Sequence, residues 1–163
     1  MNQDDTGANS LRKVVVVHAS REVAWRVFTT KMGAWWPLGT HKIGRAAAVD
    51  AVIEPNVGGR WYERGADGSA CDWGRVLVWE PPSRLMLTWE IDADWQHDAQ
   101  LKTEVEVRFV SEGPETTRVE LVHSHLDRYG PRRDQMRDIF DSEQGWTGLL
   151  AAFAASATKG GNP

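Results

Sequence analysis

The stretch from Asp50 to His125 constrains this chain more than any other, because six runs of strand-forming residues follow one another with only short turn segments between them. The runs cover residues 50–54, 59–63, 71–79, 84–91, 101–110 and 116–125. Pro55-Asn56, Gly65-Ala66-Asp67-Gly68, Glu80-Pro81-Pro82 and Glu112-Gly113-Pro114-Glu115 punctuate them. Connections this short leave no room for a crossover helix, so sequential strands must pair antiparallel as a meander. The clearest alternation sets Leu101, Thr103, Val105, Val107 and Phe109 against Lys102, Glu104, Glu106 and Arg108. That period of two predicts a sheet with one buried and one wet face.

The flanks change period. Residues 11–18 contain four consecutive valines, which favour a pleated, buried strand. Ser20 then offers a helix cap, Glu22 suits the first turn, and Ala24, Val27 and Phe28 fall at helical spacing, predicting a helix over 21–29. A second helical turn over 31–36 ends at Pro37, and 38–48, with Gly39 and Gly44, reads as loop. After the meander comes a charged connector, 127–138, and then a closing helix over 141–158 with Asp141 or Ser142 as its cap. Its apolar stripe is Trp146, Leu149, Leu150, Phe153 and Ala157. Gly145 and Gly148 lower helix propensity there, which a close packing contact would explain. The expected order is β-α-α-β6-α, an α+β fold in which one curved antiparallel sheet of about seven strands wraps around the C-terminal helix. Residues 11–158 make a single domain between a polar leader expected to be disordered, 1–10, and a frayed tail, 159–163.

Composition narrows function by exclusion. A net charge of −4 provides no basic field for nucleic acid or an anionic membrane surface. The single cysteine, Cys71, closes no intramolecular disulfide and reads as a half-buried strand residue, with no adjacent base to activate it. No apolar run is long enough to span a bilayer and the N-terminal residues lack the features of a secretory signal, so a cytoplasmic protein is expected. There is no GxSxG, GxGxxG, Walker or HExxH motif, and Gly58-Gly59 reads as a bulge or a close backbone approach. Nine Trp against two Tyr and four Phe is the one anomaly, and it asks for either a crowded core or a cavity.

The segment His18-Ala19-Ser20-Arg21-Glu22-Val23-Ala24-Trp25, the group Gly58-Gly59-Arg60-Trp61, the block from Gly74 to Leu85 with Trp89, and Gly145-Trp146-Thr147-Gly148-Leu149-Leu150 resemble the START-like, or SRPBCC, helix-grip superfamily. Within it they resemble the branch of the ATPase activator of the ninety-kilodalton heat-shock chaperone. The resemblance runs from about Leu11 to Thr158. It implies the helix-grip fold, with a hydrophobic cavity between sheet and C-terminal helix. The eukaryotic activator also carries a further N-terminal domain that contacts the chaperone; here ten residues, expected to be disordered, precede the first strand. A family label does not transfer a mechanism.

The candidate site is therefore a Trp-lined pocket, with Trp35, Trp36, Trp61, Trp89 and Trp146 as walls, Leu150 on the helix stripe, and Glu63, His123 and Arg75 as polar handles. For each tryptophan the competing reading is a plain core residue. Periodicity leaves two faces open for strand 71–79: Trp73, Arg75, Leu77 and Trp79, or Gly74, Val76 and Val78; a bulge near Leu77 would mix them. His123 and His125 are expected to share the inner face with Val119 and Leu121, but two imidazoles without a third ligand do not make a metal site, and no cofactor is expected. Glu63 with His123 is a candidate proton-transfer pair. His41 and His97 fall in loops, where surface or capping roles are the default. Arg128, Arg132, Arg133 and Arg137 are interleaved with Asp127, Asp134 and Asp138, a solvated mixed-charge segment that could alternatively serve as a partner surface or a lid. Three functions follow: a binder of a small hydrophobic or aromatic ligand, a co-chaperone or interaction module, and a cyclase- or hydrolase-like enzyme. The chain is expected to be a monomer or homodimer.

Overall fold

The computed structural model describes residues 7–158. Seven strands form one antiparallel sheet: β1 (Leu11–Val17), β2 (Ala48–Ile53), β3 (Arg60–Gly65), β4 (Ala70–Glu80), β5 (Arg84–Trp89), β6 (Thr103–Gly113) and β7 (Thr116–Ser124). The order across the sheet is β1-β7-β6-β5-β4-β3-β2, so the meander is unbroken and β1 closes on its last strand. The inner face follows from alternation. Leu11, His123, Val105, Leu87 and Val76 are register partners in one continuous row, and all five are buried. Register shifts in the β2–β3, β3–β4 and β4–β5 pairs mark bulges, which add local twist and curl the sheet.

Among the described residues four α-helices complete the fold: α1 (Arg21–Thr29), α2 (Met32–Trp35), α3 (Arg133–Asp141) and α4 (Trp146–Thr158). Ser20 caps α1 by accepting the Val23 amide at 3.2 Å. The curled sheet grips α4, which packs against β1, α1 and α2 along the expected stripe of Trp146, Leu149, Leu150, Phe153 and Ala157. Phe153 is fully buried and meets Phe28 and Trp35 at centroid distances of 5.1 and 5.5 Å. Burying one such side chain stabilises the fold by roughly 1.5–3 kcal/mol. Among the described residues no helix is long and apolar enough to cross a membrane.

Three expectations change. The closing helix does not begin at 141: the charged connector folds as a 3-10 helix over Leu126–Arg132 and as α3 over 133–141, so Asp141 ends α3 and Ser142 is its C-cap rather than the cap of α4. The break is held by two glycines, because a Cβ on Gly145 would sit 2.2 Å from the Ile139 carbonyl oxygen and one on Gly148 1.9 Å from that of Glu143. The expected leader reaches the described residues only at 7–10, and there the chain is tied down. Leu126 N–H donates to the Asn9 carbonyl, Arg133 to Asn9 Oδ1 and Arg137 to the Ser10 carbonyl. The expected tail, 159–163, lies outside the described residues. His125, finally, does not share a face with His123. β7 ends at Ser124, His125 turns left-handed at φ 63°, and its exposed ring lies 3.5 Å from Glu104.

Candidate ligand-binding cleft

An open cavity of about 590 Å³ lies between the sheet, the α2–β2 loop and the α3–α4 turn. Its walls are Trp36 after α2, Trp73 on β4, Trp89 on β5 and Trp146 at the start of α4, with Phe140 of α3 beside them. All five are buried. Trp36 and Trp73 are tilted against each other, 5.0 Å apart at 36°, whereas Trp36–Trp146 and Trp89–Trp146 meet edge to face at 6.2 and 5.8 Å. Polar side chains occur only at the mouth, where Thr40, His41 and Lys42 come from the loop and Glu143 and Gln144 from the turn.

Buried indoles need acceptors, and most of the local sequence choices around the cleft supply them. Trp73 Nε1 donates to Glu63 Oε1 at 2.9 Å, Trp146 Nε1 to His123 Nδ1 at 3.1 Å, and Trp36 Nε1 to the His41 carbonyl at 2.9 Å. Glu63 also accepts the amides of Ile43 at 2.6 Å and Gly44 at 3.0 Å. A carboxyl group only 2% exposed is thus hydrogen-bonded by three N–H donors, which pin the loop to the Trp73 wall. Among the described residues Glu63 forms no ion pair.

His123 can exist in one tautomer only. An indole N–H can only donate, so Nδ1 is bare and Nε2 carries the proton, which goes to Thr103 Oγ1 at 2.9 Å; that hydroxyl in turn donates to the Trp89 carbonyl at 2.9 Å. Complete burial lowers the imidazole pKa to about 3. The ring is neutral and saturated, a bracket between α4, β5 and β6.

The loop's own histidine is also doubly bonded. Because the Gln144 carbonyl only accepts, His41 donates to it from Nε2 at 2.8 Å and takes the Thr40 hydroxyl on Nδ1 at 2.7 Å. This clasp joins the two sides of the mouth. Cys71 is half-buried beside Glu63; burial first, then that carboxylate, push its thiol pKa up, which disfavours the reactive thiolate.

Of the expected site residues, Trp36, Trp89 and Trp146 reach the cleft. Trp35 and Trp61 are buried behind it, their N–H groups held by the Val27 carbonyl and Met32 Sδ, and Leu150 is buried while its neighbour Leu149 lines the cavity. Glu63 and His123 stand behind the walls they hold and do not touch each other. Arg75 is not a handle: its side chain is 48% exposed and points toward Asp72 at 3.9 Å. The reason is a double irregularity in β4. Trp61 pairs with Gly74 but Tyr62 with Asp72, so Trp73 is an extra residue turned inward, and a second shift falls at Leu77. Sequence reasoning also misses His41 and the α3 wall, although Met136, Ile139 and Phe140 carry a visible i, i+3, i+4 signal inside the charged segment.

The family model for Activator of Hsp90 ATPase homolog 1-like protein matches residues 18–157. Among solved structures, the chain is 40% identical to an anthrahydroquino-gamma-pyrone synthase, Txn09, complexed with SUM, covering 91% of this chain and 98% of that one with a TM-score of 0.64. It is 29% identical to CalC, a self-sacrificing resistance protein from Micromonospora echinospora, covering 96% and 99% with a TM-score of 0.68. An HSP90 activator from Plasmodium falciparum shares the fold at 18% identity, covering 72% and 73% with a TM-score of 0.50. Among proteins of curated function none matches the sequence.

Proposed function

Because the chain belongs to the family of Activator of Hsp90 ATPase homolog 1-like proteins, we propose that it uses the cleft of the helix-grip fold to bind a flat, fused-ring aromatic molecule. The observation that carries this is the cavity of about 590 Å³ walled by Trp36, Trp73, Trp89 and Trp146. Its size and its apolar walls with a polar mouth are those of small-molecule sites. The 40% identity to a synthase whose name describes a fused aromatic product supports the same ligand class.

Two other readings have less behind them. A proton-transfer role for Glu63 and His123 requires free atoms, and theirs are taken by Trp73, Ile43, Gly44, Trp146 and Thr103. The titratable groups facing the cleft are His41, Lys42 and Glu143. A co-chaperone surface on the connector competes with internal bonds: Arg128 donates to the Lys102 carbonyl, Arg132 to the Ala93 carbonyl, and Arg133 and Arg137 to Asn9 and Ser10.

The test is a titration with 1,2-dihydroxyanthraquinone, followed by tryptophan fluorescence and calorimetry, with a saturated fatty acid as comparator. Saturable one-to-one quenching by the tricyclic compound, weakened at least about tenfold in Trp36→Ala, is expected. A failure of flat aromatics to saturate, or equal binding of the fatty acid, overturns the reading.

A further inference from the structure

Resting on that reading, we infer that the cleft takes its ligand in one orientation and selects aromatics whose polar substituents are confined to one end. The inner lining is apolar, and its indole N–H groups already face partners within the protein. The N–H groups of Trp36, Trp73 and Trp146 are consumed by His41, Glu63 and His123, and the Ile91 carbonyl accepts the Tyr129 hydroxyl at 2.7 Å. The backbone amides of Gly145 and Leu149 go to Ser142 and Gly145. Trp89 Nε1 faces the Tyr129 hydroxyl and has no exposed surface, so a ligand atom cannot reach it without displacing the surrounding rings. A hydroxyl pushed to this end loses its water and gains nothing.

The mouth is the opposite. The exposed side chains of Thr40, Glu143 and Gln144, together with half-exposed Lys42 and the His41 clasp, present donors and acceptors that remain in contact with water. A ligand with polar groups at one end keeps them here and buries a bare ring edge. One with a hydroxyl at each end must strand one of them, and a buried unsatisfied hydroxyl weakens binding by roughly tenfold to a hundredfold.

Two isomers isolate this effect, because they share composition and differ only in where the second hydroxyl sits: naphthalene-2,3-diol and naphthalene-2,6-diol. Calorimetry with the full chain is expected to show the 2,3-isomer binding about tenfold tighter or more, with each isomer competing against the other and against 1,2-dihydroxyanthraquinone. Equal affinities, or a preference for the 2,6-isomer, overturn the orientation inference while leaving an aromatic-binding cleft in place. If neither diol nor the tricyclic compound binds, the functional reading falls and this inference with it.

Discussion

His123 stands between Leu11 and Val105 in an otherwise apolar row on the sheet, and its titration makes it measurable. Burial holds its pKa at about 3 in the folded chain, against about 6.5 when unfolded. Below about pH 6.5 the unfolded state binds a proton that the folded state refuses, so this contribution is complete at neutral pH and is lost as pH falls toward about 3. The slope is up to about 1.4 kcal/mol per pH unit. Urea unfolding between about pH 6 and pH 4 should therefore be steeper for the native chain than for His123→Gln, whose amide can still accept from Trp146 and donate to Thr103. Parallel curves would show that His123 is not the group responsible. Glu63 is tested differently. In Glu63→Gln one of the two oxygens becomes a donor facing N–H groups, so a loss of about 1–3 kcal/mol is expected. Hydrogen exchange at the Ile43 and Gly44 amides should quicken selectively, since those are the amides the carboxylate holds.

Helix α4 and its glycines set two principles against each other. By helix propensity Gly148→Ala should stabilise by about 1 kcal/mol. By packing, the new methyl would stand 1.9 Å from the Glu143 carbonyl oxygen and force the α3–α4 turn apart, a loss of about 1–3 kcal/mol. The urea midpoint is expected to fall, and a rise would mean that the turn yields freely. The same element explains what reads from sequence and what does not. Strands are legible because alternation is local, and the β6 pattern from Leu101 to Phe109 reappears residue for residue as buried and open positions. Bulges are not, since the inward turn of Trp73 and the outward turn of Arg75 depend on pairing with β3. His41 has no local signature at all; it enters the cleft because Gln144, distant in sequence, offers a carbonyl.

The outer face of the sheet is a mosaic of half-exposed ion pairs, including Arg12–Glu120 at 3.4 Å, Arg118–Glu120 at 2.7 Å, Arg108–Glu106 at 3.0 Å and Arg84–Glu106 at 2.5 Å. Such pairs contribute little each and are screened by salt. Raising sodium chloride from about 0.1 to about 1 M should lower unfolding free energy by no more than about 2 kcal/mol. The affinity for naphthalene-2,3-diol, a neutral ligand in an apolar cleft, should not weaken over the same range. A large loss of either would place more of the molecule's energetics in its charges than this arrangement allows.

The internal bonds that hold the indoles have a kinetic side. Trp36, Trp73 and Trp146 are fixed by Glu63, His123 and the loop backbone in the unliganded chain. The motional freedom of those rings is thus surrendered once, during folding, and not again at each encounter. If the cleft binds the aromatic ligand proposed above, arrival should be limited by finding the mouth rather than by waiting for walls to form, and residence time should follow how often the strap between His41 and Gln144 lets go.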